Sequence, residues 1–137
     1  MKHVLIMEDN LTLGLEWVSA FELNQSDVTL CDNVKDAIGF LKADTYDLLI
    51  TDLFVNEEEG GLHLLRKLSV LEMKPPPIIA VTGAVIPNSR ETDNNIFLET
   101  ARLLGATSYI QKPFPAGELV LMAHDLWDRQ CPVTNPS

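Results

Sequence analysis

The chain has 137 residues, 46% of them hydrophobic, with 20 acidic against 10 basic side chains and a formal net charge of −10. A chain of that length buries roughly two-thirds of the surface it exposes when unfolded, so one compact domain is expected, and its acidic balance argues against direct nucleic-acid binding or attachment to an anionic membrane. Two cysteines without C-x-x-C spacing, and three scattered histidines, call for neither a disulfide framework nor a structural zinc site.

Met1-Lys2-His3 leads into Val4-Leu5-Ile6-Met7, a strand-length apolar run that meets Glu8-Asp9. This start is unlike a secretory signal, and no apolar run approaches the roughly 18 residues that span a bilayer, so a cytoplasmic location is expected. A helical stripe on Leu11, Leu15 and Val18 follows, then a second strand at Val28-Thr29-Leu30-Cys31 and a second helix carrying Ala37, Ile38 and Leu41. The third strand, Asp47-Leu48-Leu49-Ile50-Thr51, runs into Asp52. Beyond it, Val55 to Glu59 reads as an irregular, solvated loop with three consecutive glutamates, and Gly60-Gly61 precedes a helix with Leu64, Leu65, Leu68 and Leu71. Pro75-Pro76-Pro77 launches the fourth strand, Ile78-Ile79-Ala80-Val81, which ends in Thr82. A long polar connection from Gly83 to about Asn95 leads to a helix with Phe97, Ala101 and Leu104, and Gly105 suits the position just past it. The fifth strand, Thr107-Ser108-Tyr109-Ile110, ends in Gln111-Lys112, and the last helix carries Leu119, Met122, Ala123 and Leu126. One domain over residues 1–129 is expected, with 130–137 a tail or the start of a linker.

The strands are mostly continuously apolar rather than alternating, as expected for parallel strands covered on both faces. The fold expected is α/β: a doubly wound five-stranded parallel sheet, (βα)5, with helices on both faces. In such sheets the site lies outside the carboxyl ends of the strands. Glu8, Asp9 and Asp52 should converge there, and three carboxylates that close repel one another unless a cation neutralises them. Mg²⁺, a hard ion ligated by carboxylates, water and phosphate oxygens, fits. Lys112 adds a mobile positive charge and Thr82 a hydroxyl that donates to a phosphoryl oxygen; together these groups suit phosphoryl transfer, with one carboxylate as acceptor. Taken singly, each of them reads as a helix cap, a turn or a solvated side chain; the joint placement on strand ends is what points to chemistry. Trp17 and Trp127 read as packing, and His3, His63 and His124 are assigned no chemistry.

With Val4-Leu5-Ile6-Met7-Glu8-Asp9-Asn10, Asp47-Leu48-Leu49-Ile50-Thr51-Asp52-Leu53, Ile79-Ala80-Val81-Thr82-Gly83-Ala84 and Gly105-Ala106-Thr107-Ser108-Tyr109-Ile110-Gln111-Lys112-Pro113-Phe114, the chain resembles the receiver domain of two-component response regulators. The resemblance covers residues 1 to about 129 and implies the flavodoxin-like strand order 2-1-3-4-5. It implies that Asp52 is phosphorylated, that Asp9, Asp52 and the backbone carbonyl of Phe54 ligate Mg²⁺, and that Glu8 acts mainly through a water on the metal. It further implies that Thr82 and Lys112 bind phosphoryl oxygens, that Tyr109 is an aromatic switch, and that Lys112-Pro113 is a candidate cis peptide. Two departures stand out. The Thr82-to-Lys112 interval is several residues longer than is usual, and the loop after Asp52 carries Phe54 and lacks the frequent Met-Pro-Gly.

The function expected is that of a stand-alone receiver taking a phosphoryl group from a histidine kinase or histidine phosphotransfer protein. Phosphorylation would switch a surface of the fourth helix, fifth strand and fifth helix that binds a downstream protein, the chain promoting only its own phosphorylation and dephosphorylation. Gly83-Ala84-Val85-Ile86-Pro87 opens a connection expected to reposition for a partner. One alternative is an aspartyl-phosphate phosphatase, although the second acid such an enzyme needs is replaced by Phe54. Another is a degenerate receiver serving as a scaffold.

Overall fold

The five apolar runs form five strands: β1 (His3–Met7), β2 (Asp27–Cys31), β3 (Leu48–Asp52), β4 (Ile78–Thr82) and β5 (Ser108–Gln111). All pair in parallel in the order β2-β1-β3-β4-β5, the order expected from the sequence. The helices between them are α1 (Leu11–Leu23), α2 (Val34–Ala43), α3 (Gly60–Val70), α4, described over residues 99–103, and α5 (Ala116–Gln130). The computed structural model describes residues 1–53, 60–71, 73–83 and 99–130. Phe54, the glutamates at 57–59, the connection from 84 to 95 and the tail from 131 lie outside the described residues.

Strand alternation builds two cores, one on each face of the sheet. Val4, Ile6, Leu48, Ile50, Ile79 and Val81 point to α1 and α5, meeting Trp17, Phe21, Leu119, Ala123 and Trp127. Leu5, Met7, Leu49, Ile78 and Ala80 point the other way, to Leu64, Leu65 and Leu68 of α3, Ala37 and Leu41 of α2, and Ala101 of α4. Because both faces of β1, β3 and β4 are covered, their runs had to be continuously apolar. Among the described residues no helix is long and apolar enough to cross a membrane.

Helix ends are set by local chemistry. The Asn10 side chain caps α1 by accepting from Leu13 N at 3.1 Å, and Asn33 caps α2 by accepting from Asp36 N at 2.8 Å. Gly105, just past α4, adopts φ +113°, which side chains with a Cβ rarely tolerate. At the amino-terminal edge of the sheet, Trp127 Nε1 donates to Asp47 O at 2.9 Å and ties α5 to the start of β3.

Two sequence expectations need correction. The stripe of Leu11, Leu15 and Val18 is not the buried face of α1: Leu11 and Leu15 are exposed, and Gly14, Trp17 and Phe21 are buried instead. The aromatics remove more apolar surface from water than two leucines, and Gly14 lets the helix approach β2, where a Cβ would stand 3.0 Å from Leu30 Cδ1. Gly60 and Gly61 form the first turn of α3 instead of preceding it.

Candidate functional site

The register of the sheet assembles the acidic centre. Met7 pairs with Thr51, so the residues one step further along, Glu8 and Asp52, emerge side by side at the crevice between β1 and β3, where the strand order reverses. The ladder continues past the strand ends: Glu8 N donates to Cys31 O at 3.0 Å, Leu53 N to Val81 O at 2.9 Å and Lys112 N to Thr82 O at 2.8 Å. Glu8 and Asp52 are buried and Asp9 is exposed, and one oxygen from each lies within 4.8 Å of those of the other two. Three hard oxygen donors so placed can hold a divalent cation.

Neighbouring strands lie about 4.8 Å apart, so β5 stands about 10 Å from β3, and only a long side chain can return from β5 to the crevice. Lys112 does so. Its Nζ donates to Glu8 Oε1 at 2.6 Å and to Asp52 Oδ2 at 2.7 Å. Burial pushes the Glu8 carboxyl up to about 7, with Asp52 adding to the rise and the Lys112 hydrogen bond opposing it. Burial also works against the Lys112 ammonium, but its hydrogen bonds to Asp52 and Glu8 outweigh that and hold its pKa above the ordinary lysine value. One ammonium is thus shared between two buried carboxylates, and the centre is poised to exchange protons or cations.

The other sequence-derived candidates stand further out. Thr82, the last residue of β4, turns its hydroxyl toward β5, where it donates to Ile110 O at 3.5 Å. Tyr109 is 51% exposed on β5. The Lys112-Pro113 peptide is cis. The packing reading of Trp17 and Trp127 is borne out: both are buried in the same core.

Two residues at the site were not singled out for it in the sequence. Gly61 packs the first turn of α3 against the end of β3: its N–H donates to Leu53 O at 3.1 Å, and a Cβ there would collide with Asp52 O. A doubled glycine after an acidic residue at a strand end was its only sequence signal. The other is Trp17, whose ring centroid is 5.7 Å from Lys112 Nζ. Nothing in the helical pattern distinguishes a core tryptophan from one beneath a charged side chain.

Residues 4–124 match the family of the response regulator receiver domain, and the chain belongs to that family. The chain is 32% identical over 120 residues to the regulatory protein VirG of Agrobacterium fabrum, covering 88% of this chain and 44% of VirG. It is 30% identical over 129 residues to the response regulator SaeR of Staphylococcus aureus, covering 94% of this chain and 52% of SaeR. The chain therefore spans about half the length of the curated relatives it matches. Among solved structures, the receiver domain of the TMAO respiratory system response regulator TorR superposes with a TM-score of 0.75 at 28% identity, over 94% of this chain and 98% of that one. A two-component response regulator from Clostridium difficile gives 0.79 at 18% identity, over 96% of this chain and 99% of that one, a likeness of fold alone.

Proposed function

We propose that this receiver domain accepts a phosphoryl group on Asp52 from a phosphohistidine of a histidine kinase or histidine phosphotransfer protein. The observation that carries the reading is the Lys112 ammonium bridging Asp52 and Glu8 at the β1/β3 crevice. In the transfer, an Asp52 carboxylate oxygen bonds to phosphorus as the phosphorus–nitrogen bond breaks, and the released imidazole takes up a proton. Lys112 then follows the negative charge onto the phosphoryl oxygens, and the Thr82 hydroxyl turns from Ile110 O to donate to one of them. Positioning and charge neutralisation supply the rate, as in phosphoryl transfer generally.

Asp9, Asp52 and the Phe54 carbonyl would hold Mg²⁺, with Glu8 acting through an intervening water. The chemistry the ion supplies is neutralisation of the carboxylates and of the incoming phosphoryl oxygens. The chain acts as a signalling phosphoacceptor, with a cytoplasmic location, and not as an enzyme turning over a separate substrate. Its output surface is α4, β5 and α5, on which Leu103, Tyr109 and Leu121 expose apolar side chains to a downstream protein.

Incubation with acetyl phosphate, with and without Mg²⁺, tests the acceptor. The expected result is a Mg²⁺-dependent gain of one phosphoryl group that maps to Asp52 and disappears in Asp52→Asn. Stable modification at Asp47 or Asp32 in place of Asp52 would falsify the assignment.

A further inference from the structure

We propose that Trp17 is a positioning residue for Lys112, its indole face holding the ammonium at the height where it meets the phosphoryl group; this rests on the role given to Lys112 above. Trp17 is 1% exposed, and its ring centroid lies 5.7 Å from Lys112 Nζ, inside the distance of about 6 Å at which a cation is attracted to an indole face. Phe114 stacks on the same indole, with ring centroids 5.5 Å apart and planes inclined by 22°. Lys112-Pro113-Phe114 therefore grips Trp17 at two points, once with a charge and once with a ring.

The need for such a platform follows from what happens to the other contacts of Lys112. A lysine has four side-chain torsions and loses considerable rotamer freedom when held in one place. In the unphosphorylated protein two carboxylates hold it. Once Asp52 carries a phosphoryl group, its charge has moved outward, and a divalent cation at the acidic centre competes for Glu8. Among the described residues, the indole is the contact of the ammonium that neither event alters. Removal from water strengthens its pull, because the quadrupole acts in a low-dielectric surrounding. Trp17 thus limits how far Lys112 can swing between the empty and the phosphorylated acceptor.

Fluorinated tryptophans at position 17 test this, since each added fluorine weakens the ring quadrupole with little change of shape. The readout is the rate of Asp52 phosphorylation by acetyl phosphate at saturating Mg²⁺, with melting temperature measured alongside. A graded loss reaching about three- to tenfold for tetrafluorotryptophan, at nearly constant melting temperature, is the expected result. Trp17→Phe should fall within the series and Trp17→Leu beyond it, whereas Phe21→Leu, a core change on the same helix, should leave the rate unchanged. A flat fluorination series alongside a slowed Lys112→Ala overturns the role of Trp17 and leaves that of Lys112 standing. An unchanged rate in Lys112→Ala overturns both.

Discussion

Glu8 is the residue at which folding and chemistry pull in opposite directions. Its carboxyl is lifted by burial to about 7 from an ordinary 4.5, so between those values the folded protein holds a proton that the unfolded chain has released. Stability therefore falls as pH rises through that window, and the whole cost is present above about pH 7. Glu8→Gln stays neutral throughout. In Mg²⁺-free buffer it should be more stable than wild type by on the order of 2 kcal/mol at about pH 8 and nearly equal at about pH 5, as read by urea unfolding. An equal difference at both pH values would contradict the raised carboxyl. Cys31 provides a second check on burial: its thiol is pushed up to about 12, mainly by desolvation, so almost no thiolate exists at neutral pH. Iodoacetamide should leave Cys31 unmodified in the native protein and alkylate it once the chain is unfolded, as peptide mapping will show.

Among the elements, α1 and α3 carry the most informative contrasts. Phe21 on the buried face of α1 is 0% exposed and Leu15 on the opposite face is 50% exposed. Phe21→Ala should cost about 3–5 kcal/mol and Leu15→Ala about 0.5 kcal/mol or less by denaturant unfolding. The reverse ranking would mean that the helix is rotated. On α3, Gly61 lets the helix start against the backbone of Asp52. The Cβ of Gly61→Ala would meet a carbonyl that cannot move without displacing Asp52. A loss of at least about 2 kcal/mol is expected, together with slower phosphorylation by acetyl phosphate. A variant of unchanged stability and rate would show that α3 does not fix Asp52.

For the whole molecule, the sheet stores charge at one end that a ligand can neutralise. A divalent cation binding only the folded state stabilises it by about 2.7 kcal/mol at one hundred times its dissociation constant. Mg²⁺ should therefore raise the melting temperature, and Asp9→Asn should abolish most of that rise. Because the cation must displace the proton held by Glu8, Mg²⁺ affinity should weaken as pH falls below about 7. Titrations at about pH 6 and pH 8 check the sign; equal affinities would remove Glu8 from the ion's surroundings.

The full strand order came with the resemblance to receiver domains, but the alternation of apolar runs with helical stripes, the acids closing the first and third runs and the lysine closing the fifth were sufficient by themselves to determine the parallel sheet and the end at which Glu8, Asp9, Asp52 and Lys112 gather. These follow from local periodicity and from the geometry of parallel crossovers, both of which are written in residue spacing. Which face of α1 is buried was not, because Leu11, Leu15, Trp17 and Phe21 offer two overlapping stripes and only packing against β2 and α5 chooses between them. Nor did spacing place Gly61 against the carbonyl of Asp52 or Trp17 beneath Lys112, residues 9 and 95 positions distant in the chain. Such contacts form across layers, where side-chain volume and the depth of the sheet decide which groups touch, and only the tertiary structure decided them.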